Sequence, residues 1–171
     1  MSPPTRTFRE RLRAWARPPR RLKITPSGRA YLVVTLGVGV GALNTGNNLL
    51  YLVLGLLLSL VVVSGVLSER VLRGLQVRRL GTGAAHAGEP FPWRWALCRA
   101  QGWSFALTLR EVRGGLTAEG SVAALPPGDE LVVRGEASAG RRGPAALVAV
   151  EISTPYPFGL FIKSRELELE D

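Results

Sequence analysis

Residues 30–68 read AYLVVTLGVGVGALNTGNNLLYLVLGLLLSLVVVSGVLS and hold no charged side chain; Arg29 closes the block on one side and Glu69 on the other. As a single helix these 39 residues would be about 58 Å long at ~1.5 Å per residue. A bilayer core is about 30 Å thick and takes about 20 apolar residues. Two crossings fit that length and one does not. The break is expected at Asn44, Thr45, Gly46, Asn47 and Asn48. Gly46 and the asparagines tolerate the left-handed backbone of a helix end, and Asn47 or Asn48 can cap the helix that follows. Thr25 is the candidate cap of the first helix, with Pro26 at its first position. The reading is a two-helix transmembrane hairpin over 26–70, with helices at about 26–43 and 49–67 and scope for the second to run on toward Arg73.

Gly37 and Gly41 give helix one a G-x-x-x-G spacing, which lets helix backbones approach closely. They are the candidate helix-packing residues, serving either the hairpin itself or a homo-oligomer through the membrane helices. A nucleotide-binding glycine loop is set aside, because that motif follows a strand within a βαβ unit.

Charge is concentrated at one end. The chain carries +9 overall, yet residues 1–29 hold nine Lys/Arg against one acid. Residues 1–25 therefore read as a basic cytoplasmic arm, in which Phe8, Leu12 and Trp15 fall at helical spacing among arginines. A basic amphipathic helix on anionic lipid and an unstructured topology signal both fit this arm. Nucleic acid is not expected as a partner, since a basic flank beside a membrane helix already follows from the positive-inside rule. Arg70, Arg73, Arg78 and Arg79 follow the second helix, while the turn between the helices is uncharged. The expected placement is the cell membrane, with two spans and both termini cytoplasmic.

From residue 75 the pattern changes to period two. Phe91, Trp93, Trp95 and Leu97 form one alternating set; Phe105, Leu107 and Leu109 another; Val148, Val150 and Ile152 a third. Turn signals separate the runs, which predicts strands at about 75–80, 90–98, 104–113, 119–125, 130–138, 145–153 and 160–169. The expected fold is a membrane α-helical hairpin followed by a cytoplasmic, all-β antiparallel sandwich of immunoglobulin-like type over 75–171.

No catalytic constellation is found. His86 is the sole histidine and sits in a Gly/Ala-rich turn, so two-histidine metal motifs are impossible. No serine lies on a nucleophile-elbow pattern. Cys98 is the lone cysteine, which excludes an internal disulfide and a cysteine-rich zinc site. Neither a cofactor nor a metal is expected. The acids at 166, 168, 170 and 171 read as a solvated edge on a terminal edge strand. The corner Pro155-Tyr156-Pro157-Phe158-Gly159-Leu160-Phe161 is the candidate protein contact, through Tyr156, Phe158 and Phe161. The prolines stiffen it, and its large aromatic area must either plug the sandwich end or face a partner.

Two motifs, taken together, carry a resemblance. The first is LNTGNNLLY at 43–51, ending a glycine-rich helix. The second is Arg142-Gly143 followed by ISTPYPFGLF at 152–161. In this order, with strands between them, they resemble the N-terminal half of the bacterial membrane-protein family named domain of unknown function fifty-eight. The resemblance covers the chain from about Arg20 onward. It implies a membrane hairpin, a β-sandwich and then a von Willebrand A-like domain. It also implies association with MoxR-type AAA ATPases and a role in maturing or assembling other proteins. The family's hallmark Gly-Asp and Asp-Trp stretches belong to the later domain and are not found here; Gly128-Asp129 leads into a strand. No metal site of that domain carries over. Two functions follow as expectations: a non-enzymatic membrane-anchored interaction or scaffold protein, or a truncated or split membrane subunit whose missing domain carries the activity.

Overall fold

The computed structural model describes residues 20–81, 86, 88–143 and 147–169. It contains two helices followed by an antiparallel sheet of eight strands, one of which precedes the helices. The elements are β1 (Arg20–Ile24), α1 (Pro26–Thr45), α2 (Asn48–Leu72), β2 (Leu75–Gly81), β3 (Pro90–Arg99), β4 (Ser104–Val112), β5 (Leu116–Leu125), β6 (Glu130–Ala139), β7 (Ala149–Thr154) and β8 (Phe161–Glu168). Spatial order is β1-β8-β7-β4-β5-β6-β3-β2, with every neighbouring pair antiparallel. Strands β4, β5 and β6 are joined as consecutive hairpins and β3 returns to lie beside β6, the Greek-key arrangement.

The sheet folds over on itself, so that β2 and β3 meet β4 and β7 through one shared core. Phe91, Trp93, Trp95 and Leu97 all point inward, as their period-two spacing predicts, and are buried with Leu107, Leu109, Val150 and Ile152. Room for the β3 aromatics comes from small residues opposite. Ala118 pairs with Ala137, and Gly120 with Gly135. A Cβ on Gly120 or Gly135 would stand 2.7 or 2.8 Å from the Trp95 ring, so the indole rests directly on the backbone of β5 and β6.

One buried ion pair crosses this core. Arg79 of β2 donates from Nε and Nη2 to the two Glu111 carboxylate oxygens, at 3.0 and 2.9 Å. Trp95 Nε1 adds a third donor at 2.9 Å. A fork-to-fork pair with this many donors offsets much of the desolvation cost of burying both charges. The period-two set Leu107, Leu109 runs straight on to Glu111, so a charged residue on an inward face was its signal in the sequence.

Several boundaries differ from the sequence reading, among them the earlier start of β5 at Leu116 and the later start of β7 at Ala149. Residues 20–24, assigned above to the basic arm, form β1 and pair with β8 from Ile24↔Phe161 to Arg20↔Arg165. In consequence β8 is not an edge strand, because β1 covers it. The helices are also longer than expected at the turn, with Asn44 and Thr45 in the last turn of α1 and Asn48 in the first of α2. The amphipathic spacing of Phe8, Leu12 and Trp15, and the terminal acids 170 and 171, lie outside the described residues.

Candidate functional site

The helices stand on the sheet at one place, where α1 begins and α2 ends. Thr25 anchors the first. Its N–H donates to Leu160 O at 3.1 Å, its hydroxyl donates to Gly159 O at 2.6 Å, and the same oxygen accepts from Gly28 N–H at 2.9 Å. It is thus the expected N-cap and, in addition, a tie to the 155–161 corner. Gly28 lies so close to that corner that a Cβ would fall 2.0 Å from Leu160 O.

Arg99, at the end of β3, anchors the second. Its guanidinium donates to Arg70 O at 2.8 Å and Val71 O at 3.1 Å, two carbonyls at the end of α2. It also donates to Ser104 Oγ at 2.5 Å and Trp103 O at 2.9 Å, and Ser104 Oγ donates to Val71 O at 2.9 Å. A fixed cation at a helix C-terminus meets both the unsatisfied carbonyls and the negative end of the dipole. Desolvation lowers the Arg99 pKa from its ordinary value, but a guanidinium stays charged in proteins.

Lys163 of β8 makes the third tie. Its ammonium donates to Gly65 O of α2 at 2.7 Å and lies 3.6 Å from Glu69, whose carboxylate is also 3.4 Å from Arg73 Nε. Between these groups lies a cavity of about 90 Å³, lined by Leu22, Glu69, Arg73, Lys163 and Arg165 among others. Lys163 and Arg165 share the face of β8 that carries Leu167. That alternation is visible in the sequence, but without β1 and α2 in place it points to no site.

Beside the ties runs a row of rings. Trp103 stacks on Phe105 at 6.0 Å, and Phe105 on Tyr156 at 5.1 Å. Tyr156 packs against the core and Phe161 is half-buried, whereas Phe158 is 49% exposed. The three residues of the expected contact therefore divide: Tyr156 packs on the core of the sheet, and Phe158 alone offers substantial free surface.

At the other end of the hairpin, Gly46 takes φ +63° and its N–H reaches Ala42 O at 3.0 Å, while Asn47 accepts from Leu49 N–H at 2.9 Å. Along the helices, the face of α1 turned to α2 carries Tyr31, Thr35, Gly39 and Ala42, with Tyr31 Oη donating to Leu57 O at 3.0 Å. Gly37 and Gly41 have nothing within 4 Å of a built Cβ. Within the hairpin the close approach belongs to Gly39, next to Leu54, because residues two apart on a helix face different ways.

Elsewhere a wide groove crosses β5 and β6 near Arg110, Glu119, Arg134 and Glu136. Glu119 is paired with Arg110 at 2.8 Å, and both are well exposed. His86 is exposed. Among the described residues no group of three or more His, Cys, Asp or Glu side chains is placed to hold a metal ion. One helix among the described residues, Asn48–Leu72, is long and apolar enough to cross a membrane. Helix α1 carries Arg29, Asn44 and four glycines, which dilute its hydropathy. Comparison with protein-family models, with curated proteins and with solved structures gave no match to this chain.

Proposed function

We propose that this chain is a membrane-anchored, non-enzymatic interaction module. In this reading α1 and α2 form a two-span hairpin in the cell membrane with both termini cytoplasmic. The sheet, read as an immunoglobulin-like sandwich, is held at the cytoplasmic face as a docking platform. The observation that carries it is the uncovered apolar surface of the hairpin: Val33, Leu36, Leu43, Leu49, Leu52, Leu56 and Val62 are all exposed. Surfaces of that kind are stable in lipid and unstable in water. The tip at 44–48 is uncharged and the foot is ringed by arginines, which supports the inward placement of the foot.

The family resemblance supplies the partner class: a MoxR-type AAA ATPase, or a protein with a von Willebrand A-like domain, in the maturation or assembly of other proteins. Phe158 is the favoured contact, because it is the exposed member of the 155–161 corner. Gly37 and Gly41, turned away from α2, are free to serve a homo-oligomer.

The test has two arms. A cytoplasm-active reporter fused after Asp171 should work, and the full chain should stay in the membrane pellet after carbonate extraction; an exported C-terminus would refute the topology. Phe158→Ala should then abolish co-purification with a co-expressed MoxR-type ATPase while costing well under the ~3–5 kcal/mol of a buried phenylalanine. Unchanged co-purification would withdraw the contact.

A further inference from the structure

We infer that the cavity between the last turns of α2 and the β1–β8 edge binds the phosphate group of an anionic phospholipid. This deepens the membrane reading above and rests on it.

The cavity wall carries three cationic side chains, Arg73, Lys163 and Arg165, against one carboxylate, Glu69. Lys163 and Arg73 share that carboxylate, and Arg21 lies 3.8 Å from Glu166 on the sheet's far side. Arg165 is different. Its Nε is buried and has no hydrogen-bond partner. Buried donors are almost always satisfied, and a charged one left alone is costly. A guanidinium presents its donors as a planar fork that fits phosphate oxygens, and a small turn of the Arg165 side chain would offer that fork to an oxyanion in the cavity. The volume is about 90 Å³, and a single water needs about 10–15 Å³ of such space, so a phosphate group fits.

Position selects a lipid as the source. Val66, exposed on α2, lies one turn before Glu69 and two before Arg73, so the cavity opens where the apolar surface of the helix ends. Leu22 and Leu72 line it beside the cations, and Leu22 is exposed. An apolar lip next to a cationic floor is complementary to a phosphodiester attached to its glycerol backbone. Basic pockets beside membrane helices on the cytoplasmic side recognise headgroups in this manner.

The experiment uses the full chain in a neutral detergent, with lipid adducts counted by native mass spectrometry. Short-chain phosphatidylglycerol, phosphatidylcholine and inorganic phosphate are titrated in parallel. Both lipids carry the phosphodiester, but the quaternary ammonium of choline adds a like charge beside Arg73, Lys163 and Arg165, so phosphatidylglycerol should bind about tenfold more tightly than phosphatidylcholine. Arg165→Gln should remove that preference. Arg73→Gln, on an exposed side chain that leaves the sheet intact, should reduce it and guards against a misfolded Arg165 variant. Arg134→Gln, on the distant groove, should leave it unchanged. Equal binding of both lipids would overturn the proposal. So would an equal loss in the Arg134 variant, which would mean diffuse surface charge. Inorganic phosphate that binds as tightly as the lipid would reassign the source and overturn the lipid claim. Carbonate extraction separates the layers of inference: retention in the pellet without lipid preference sinks this site alone, and release sinks the membrane reading with it.

Discussion

The two ends of the hairpin solve the same problem in opposite ways. At the tip, helix termini are satisfied within a few residues: Gly46 N–H returns to Ala42 O, and Asn47 caps Leu49. At the foot, Thr25 reaches Gly159, Arg99 reaches Arg70 and Lys163 reaches Gly65, partners 134, 29 and 98 positions apart. A local turn connects two helices and leaves them free to move together. A set of long-range ties fixes where the pair stands on the sheet. The tip is therefore a connector, and the foot is what gives the β-domain a defined orientation to the hairpin.

The foot should break hardest at Gly28. Alanine there places a Cβ 2.0 Å from Leu160 O, a backbone atom that cannot rotate away. Overpacking of this kind costs about 3 kcal/mol when neighbours are rigid. A detergent-solubilised Gly28→Ala chain should show a large fall in unfolding temperature; an unchanged melt would mean that α1 does not rest on the 159–160 backbone.

Arg99→Met should come next. It keeps much of the side-chain volume and removes the donors to Arg70 O and Val71 O. Hydrogen bonds from a charged group are worth about 2 kcal/mol. Hydrogen exchange should rise in the last turn of α2 and not at the tip. Equal protection at both ends would show that Arg99 is not the anchor.

At the tip, Asn47→Ala should cost about 1 kcal/mol, the usual value of an N-cap. Asn47→Gly should recover most of it, because glycine is tolerated at that position. A loss as large as that of Arg99→Met would erase the distinction between the two ends.

That distinction also explains what could be read in advance. The break at 44–48, the Thr25 cap and the period-two faces of β3 and β4 are all local patterns, and local patterns survive in a single sequence. β1 did not stand out, because Leu22 and Ile24 alternate inside a run of arginines and lysine that reads equally well as a solvated arm. The Arg79–Glu111 pair left only a charged residue on an inward-facing set. The cavity at the foot left less, since its cations come from the C-cap of α2 and from β8 and meet only through the topology. Small residues such as Ala118, Gly120 and Gly135 carry no pattern, and their role shows only when Trp95 is placed against them.

The smallest expected effect concerns Gly37 and Gly41. Their spacing is that of a helix-packing motif, but a Cβ at either meets nothing within 4 Å in the chain, whereas Gly39 faces Leu54 at 3.6 Å. Glycine inside a helix is less favourable than alanine by roughly 0.5–1 kcal/mol, and nothing in the hairpin opposes the added methyl. Gly37→Ala and Gly41→Ala should therefore leave the dilute, monomeric chain as stable as before or raise its melt slightly. If both variants lower the melt at every protein concentration, these glycines pack within the hairpin after all and the assigned helix face is wrong. If they lower it only at high concentration, they pack between copies. That result would place a second hairpin against the free face of α1 while leaving the ties at the foot untouched.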